Sequence, residues 1–316
     1  MTTTLDGRAR FREIYCAIRR RSAGADDAAC ERELVRLAGE PAPTGKPVDL
    51  ARPVLPMRVL VVPGLYGGCV PVGPFSDALP RLVALGHETG VVEIGGYSSF
   101  SSNAARIRDA ILALDPEPGT PLVVVAYSKG VPDLLEALSA YPEVRERVSV
   151  LVSVAGVVSG TPLAERLDSD PLLGPLAALT ARLCPERDPR TLADLGRPAR
   201  REWLSRNRLP ESVRAYSLIG VPARGRLPAA LRSGYDLLAK FDPRNDGAVI
   251  ASDAVVPGSA VLGFLEADHW AMALPLSREM PRASALGLAR HDFPRDALLE
   301  AVLRAVEEDL LARRRR

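Results

Sequence analysis

Between Pro121 and Leu138 the chain reads PLVVVAYSKGVPDLLEAL, and this stretch restricts its fold more than any other. Leu122-Val123-Val124-Val125 is apolar at every position and mostly β-branched. That is how a strand reads when both of its faces are covered, as inside a parallel sheet. Val131, Leu134, Leu135 and Leu138 then fall at i, i+3, i+4 and i+7, so a helix with one buried face follows. Pro132 stands in the first turn, where an amide proton has no partner within the helix, and Asp133 faces the positive end of the helix dipole. Ser128 therefore sits at a sharp turn between a buried strand and a helix.

The turn itself, Ala126-Tyr127-Ser128-Lys129-Gly130, resembles the nucleophile elbow of the α/β-hydrolase fold, a small-x-Ser-x-small pattern between strand and helix. Strand and helix pass so close there that the flanking residues must be small. Gly130 meets the pattern, and Ala126 stands where most members carry glycine, a feature in which some small bacterial lipases are similar to this chain. An ordinary βα turn is the alternative. The resemblance implies an α/β fold with a mostly parallel central sheet flanked by helices, and a nucleophilic Ser128.

The rest of the chain supports such a sheet. Met57 to Val62, Gly90 to Ile94, Val148 to Val154, Ser212 to Ile219 and Ser259 to Leu265 read as strands. Helical patterns alternate with them at Asp77 to Leu85, Asn103 to Leu114, around Leu231, Tyr235 and Leu238, and from Pro294 to Leu311. Strands alternating with helices of this length argue for parallel strands joined by right-handed crossovers. The serine-rich stretch Tyr97 to Ser102 is expected to cap the helix that follows it.

Three segments stand apart. Residues 1–56 read as an N-terminal helical extension and linker: Phe11, Ile14, Tyr15 and Ile18 share one helical face, and Cys30, Leu34 and Leu37 another, before a proline-punctuated run from Glu40 to Pro56. Residues 57–156 and 211–316 read as the core. The alternation stops after Gly156, and residues 157–210 hold scattered prolines, Trp203 and an arginine cluster at Arg197, Arg200, Arg201, Arg206 and Arg208. In α/β hydrolases a cap or lid is often inserted at this point, and the resemblance implies one here. The arginines fit either a solvated helix, their usual setting, or an anionic substrate group. Trp203 fits a core anchor or a pocket wall.

Composition narrows the function classes. The chain has 316 residues, 47% hydrophobic and 25% charged, ordinary for a soluble domain with a sizeable core. A net charge of +2 gives no reason to expect nucleic acid or an anionic membrane as partner. The N-terminus shows no apolar segment of signal-peptide type, and no run is long enough to span a bilayer. Cys16, Cys30, Cys69 and Cys184 are widely spaced without metal-ligand pairing, so free thiols in a cytoplasmic protein are expected.

Three further motifs carry chemistry. Pro63-Gly64-Leu65-Tyr66-Gly67-Gly68 follows the first buried strand, lacks Walker spacing, and is similar to the loop that supplies half of the oxyanion hole in α/β hydrolases. Pro63 replaces the histidine of many members, and a plain tight turn is the alternative. The resemblance makes the Leu65 amide the first oxyanion donor, with Tyr66 the runner-up, and the amide of Lys129, next to the serine, the second. Asn245-Asp246-Gly247 has turn chemistry of its own and also resembles the segment bearing the acid in many lipase-like hydrolases. Asp242 and Asp253 are rival carboxylates. His269 lies four residues after the last strand, so Ser128, Asp246 and His269 follow the α/β-hydrolase order, whereas His87 precedes the serine and His291 lies far from the strand end.

These residues imply acyl transfer through an acyl-enzyme without metal or organic cofactor, acting on a small-molecule ester or thioester. A carboxylester hydrolase of esterase or lipase type is the leading expectation. A thioesterase or acyltransferase using the same triad, and a noncatalytic binding protein on the same fold, are the alternatives.

Overall fold

The structure is a computed structural model, and it describes all residues except 1–4, 23–27, 168–183, 185, 281 and 316. Among the described residues eight strands form one sheet: β1 (Leu5–Asp6), β2 (Leu34–Val35), β3 (Arg58–Val62), β4 (Glu88–Val91), β5 (Leu122–Tyr127), β6 (Val148–Val154), β7 (Arg214–Gly220) and β8 (Ala260–Leu265). The order is β1-β8-β7-β6-β5-β3-β4, with every neighbouring pair parallel. The fold is thus α/β, with a mostly parallel sheet flanked by helices.

Alternation along the central strands explains their unbroken apolar sequences. Val59, Val61, Val123, Val125, Val150 and Val152 point into one core with Phe11, Ile14, Tyr15 and the Arg295–Arg314 helix. Leu60, Val62, Val124, Ala126 and Leu151 point into a second core with Ile107, Ile111, Val131 and Leu134, from the Phe100–Leu112 and Gly130–Ala140 helices. Both faces of the sheet are therefore dry, and polar side chains on β5 would be left without water on either side.

The chain passes from β3 outward to β4, then crosses back to β5 on the other side of β3. Strand order reverses between β3 and β5, and the crevice beyond their carboxyl ends is where open α/β sheets place ligands. The loop after β3 begins at Pro63, and the turn after β5 holds Ser128. Sequence pattern and topology meet at this one point.

Several boundaries move by a few residues. The strand expected at Gly90 to Ile94 is Glu88–Val91, and the helix expected from Asn103 begins at Phe100, with Ser99 Oγ accepting the Ser102 N–H as its cap. The N-terminal extension differs in kind. Its second helix spans only Ala29–Glu33, and Leu34 lies in β2. β1 runs parallel to β8 opposite Ala260 and Val261, while β2 runs antiparallel to it opposite Phe264 and Leu265. Two short strands thus cover the edge of β8, which would otherwise present unpaired backbone groups. The proline-punctuated run is held along the C-terminal helix by Arg304 Nη1, which donates to the carbonyls of Asp49 and Ala51, and by Glu307, which accepts the N–H groups of Val54 and Leu55.

The expectation of free thiols is overturned. Cys16 is bonded to Cys30, and Cys69 to Cys184, leaving no free cysteine. The first bond staples the opening helix to the segment entering β2. The second joins the glycine-rich loop region after β3 to the middle of the 157–210 insertion. Spacing along the sequence hid both, because each partner is brought by a different element.

The arginine cluster is likewise not uniformly solvated. Arg206 is exposed and paired with Glu202, but Arg197 and Arg201 both reach Asp253. Arg200 is only 1% exposed and lies between the rings of Phe100 and Trp203, with Nε donating to the Val158 carbonyl. Burial pushes its guanidinium down to about 10. Trp203 packs partly buried on the second core and donates Nε1–H to Glu136, which makes it an anchor.

Candidate active site

Ser128 has φ 54°, a left-handed conformation that non-glycine residues seldom adopt. The turn is held by its own main chain: the Ser128 N–H donates to Val154 O, and Ser128 O accepts from the N–H groups of Val131 and Val157. Gly130 is needed because a Cβ there would lie 2.3 Å from the Pro63 carbonyl oxygen and 2.6 Å from that of Val62. Across the crevice, a Cβ on Gly64 would come within 3.0 Å of the Ser128 Cβ. The two loops touch, and small residues at both are the condition for it.

His269 arrives from the turn after β8. Its Nε2 is 2.8 Å from Ser128 Oγ, and its Nδ1 is 2.8 Å from Asp246 Oδ2. The serine hydroxyl can donate to Nε2 while Nδ1–H donates to the carboxylate. The other carboxylate oxygen, Asp246 Oδ1, accepts the N–H groups of Ala248 and Val249 at 2.9 and 2.8 Å. Both oxygens are thereby satisfied in a residue only 2% exposed. The rivals are elsewhere: Asp242 pairs with its neighbour Arg244, and Asp253 with Arg197 and Arg201. His87 sits at the opposite end of β3, where its Nδ1 accepts the Met57 N–H and burial lowers its pKa.

The detour between β7 and Asp246 is a helix, Ala229–Leu238, that packs back on the acid's turn. A Cβ on Gly234 would meet Gly247 O at 2.4 Å, and Gly247 itself has φ +95°. Asn245 closes the turn by accepting the Gly247 N–H on its side-chain oxygen.

Among the described residues, the backbone N–H groups of Leu65 and Lys129 take part in none of the turn and loop hydrogen bonds that hold their two loops. The Lys129 side chain turns away from the serine. Its Nζ lies 2.8 and 3.0 Å from the two carboxylate oxygens of Asp133, and both residues are fully buried. Burial pushes the Asp133 carboxyl up to about 6, although Lys129 and Asn103 pull it the other way.

Three residues around this centre went unnoticed in the sequence. Gly220 ends β7, and a Cβ there would lie 2.8 Å from Asp246 Cβ and 2.7 Å from Ala267 O, so its absence lets the acid and histidine loops meet. Asp268 accepts the N–H groups of Trp270 and Ala271 on Oδ1 and so shapes the histidine turn; burial raises its carboxyl to about 6. Tyr127 donates its hydroxyl to the His269 carbonyl. Their only sequence signal is adjacency: each stands at a strand end or beside a candidate residue. As for metals, the one group of suitable donors among the described residues is Cys16, Cys30 and the exposed Glu31, whose two sulfurs are joined to each other.

The chain belongs to the α/β-hydrolase family, among its lipase- and esterase-like members. The metagenomic carboxyl esterase MGS0156 is 40% identical to it and superposes with a TM-score of 0.87, covering 97% of this chain and 93% of that one. The mature Bacillus licheniformis lipase BlEst2 is 20% identical at a TM-score of 0.56, over 77% of this chain and 96% of that one. EstA from Clostridium botulinum is 12% identical at 0.54, over 97% and 99%. These last two share the fold. No family model matches the chain, and no curated protein sequence matches it.

Proposed function

We propose that this carboxylester hydrolase works through an acyl-enzyme on Ser128, with His269 as general base and acid and Asp246 as the group that orients it. The observation that carries the reading is the unbroken pair of 2.8 Å contacts from Ser128 Oγ through the imidazole to Asp246. A serine hydroxyl is a weak nucleophile at neutral pH and needs such a base. His269 Nε2 takes the hydroxyl proton as Oγ attacks the ester carbonyl, then returns it to the departing alkoxide. Water repeats the sequence on the acyl-enzyme, releasing the acid. Asp246 holds the tautomer in which Nε2 is free to accept, and it stabilises the imidazolium that forms. The amides of Leu65 and Lys129 would hold the tetrahedral oxyanion, each such donor being worth about 10²–10³ in rate.

Residues 157–210 are proposed as a cap over the pocket. Much of it, residues 168–183 and 185, lies outside the described residues. In support, its middle is tied to the site's surroundings by the Cys69–Cys184 bond, by a bridge between Arg187 and Tyr97, and by Thr191 Oγ1 donating to Tyr97 O. The compartment belongs to the proposal too. No helix among the described residues is long and apolar enough to cross a membrane, and two disulfides favour an oxidising environment over the cytoplasm expected from free thiols.

A fluorophosphonate probe tests the reading directly. Wild type should be labelled and should hydrolyse p-nitrophenyl esters, while Ser128→Ala should fold and do neither. Activity above a small fraction of wild type in Ser128→Ala would overturn the assignment. Faster turnover of acyl thioesters than of oxygen esters across a matched chain-length series would move the reading to a thioesterase.

A further inference from the structure

The two candidate oxyanion amides come from loops that are distant in sequence, and something must hold them at a fixed separation. A buried polar chain runs between the two loops. Lys129, which bears one amide, sends its ammonium to Asp133 one helical turn on, with contacts at 2.8 and 3.0 Å. Asp133 Oδ2 also accepts from Asn103 Nδ2 at 3.0 Å. Asn103, 0% exposed, pairs with Gly95 in both directions: Nδ2 donates to Gly95 O at 3.0 Å, and Oδ1 accepts the Gly95 N–H at 3.1 Å. The next residue, Gly96, donates its N–H to Gly67 O at 3.0 Å and lies against Leu65, the bearer of the other amide. A Cβ on Gly96 would stand 2.1 Å from Leu65 O.

We propose that Asn103, Asp133 and the Lys129 side chain are positioning residues, which set the Leu65 and Lys129 amides against each other for oxyanion binding. The inference rests on the oxyanion-hole reading above. Stability is a poor reason for such a cluster. A buried ion pair is often replaced by apolar residues of similar volume with no loss, whereas removing one partner leaves a costly unpaired charge. Geometry is a better reason. Each member makes bonds in fixed directions, and Asn103 uses both ends of its amide to clamp the Gly95 peptide at the side of the Leu65 loop. Among the described residues no side-chain hydrogen bond of the network reaches Ser128, His269 or Asp246, so its effect would pass through the backbone.

The discriminating variants are Asn103→Ala and the double substitution Lys129→Met/Asp133→Leu, which removes both charges together. Each is assayed for kcat and KM with p-nitrophenyl butyrate, per active site titrated with a fluorophosphonate, beside its melting temperature. The expected result is a fall in kcat of about 10- to 100-fold, part of what one oxyanion donor is worth, with KM within about twofold of wild type. The double variant should melt within a few degrees of wild type. If it does not fold, Asn103→Ala decides alone. A kcat per titrated site within about twofold of wild type in a folded variant would overturn the inference while leaving the triad reading intact. A wild-type protein that neither hydrolyses the ester nor takes the probe would overturn the site reading, and the inference with it.

Discussion

The Tyr127 hydroxyl donates to the main-chain oxygen of His269 at 2.9 Å, and its ring centroid lies 5.4 Å from that of the imidazole. The residue before the candidate nucleophile thus holds the backbone of the candidate base, 142 positions further along the chain. Tyr127→Phe keeps the ring packing and removes only this bond. It should cost about 1 kcal/mol of stability, the net value of one hydrogen bond, and lower kcat by about 3- to 10-fold through a looser histidine turn. Urea unfolding and ester hydrolysis measure the two effects, and a variant unchanged in both would show that the contact does not orient the base.

Asp246→Asn and Asp242→Asn separate the acid from its neighbour. Only Asp246 reaches His269, and asparagine in its place can present an N–H to Nδ1 and favour the wrong tautomer. Turnover should drop by about 10⁴ in the first variant, the scale known for such a replacement in a serine triad. In the second it should stay within about twofold, because Asp242 is engaged with Arg244. Equal losses in both would contradict this assignment of the acid.

The cysteines allow a direct count. Denatured without reductant, the protein should show no free thiol to a colorimetric reagent, against four if all were reduced. The Cys69–Cys184 bond closes a loop of 115 positions. Its removal in Cys69→Ser/Cys184→Ser should lower the unfolding free energy by about 2–5 kcal/mol, since a long closed loop restricts the unfolded chain most. A change below about 1 kcal/mol would mean that the bond contributes little beyond the contacts around it.

Asp268 makes stability depend on pH in a stated direction. Burial raises its carboxyl from 3.8 to about 6, so the folded state holds the proton more tightly than the unfolded one. That contribution is fully present below about pH 4 and is lost as pH rises through about 6. Asp268→Asn keeps an oxygen for the Trp270 and Ala271 N–H groups and removes the charge. Relative to wild type, the variant should therefore gain on the order of 2 kcal/mol between pH 4.5 and pH 7.5. Chemical denaturation at the two values checks this, and a constant difference would show that Asp268 titrates normally.

Local sequence carried the parts whose signal is periodic or steric. Leu122 to Val125 could only be a strand with two covered faces, and β5 is buried at every residue. The serine between it and an amphipathic helix could only sit on a turn with small neighbours, as Ser128 does between Ala126 and Gly130. Ser128 and His269 were legible as candidates because each follows a recognisable strand, whereas the choice among Asp242, Asp246 and Asp253 was not. Element ends were read less well, since fraying and capping are settled by neighbours in space. Gly90 to Ile94, for example, moved to Glu88–Val91 to match the register of β3.

Tertiary structure alone decided what depends on distant segments meeting. Leu34 has a helical spacing with Cys30, yet it pairs with Leu265 because the edge of β8 offers hydrogen bonds that a short exposed helix does not. Asp242, Asp246 and Asp253 are equivalent as carboxylates, and it is the packing at the end of β7, where Gly220 leaves room, that brings Asp246 to His269. Cys69 finds Cys184, and Asp133 finds Asn103, for the same reason. A buried sulfur or charge takes the partner that packing delivers, and packing is a property of the whole chain. Periodicity, by contrast, is written in a dozen neighbouring residues.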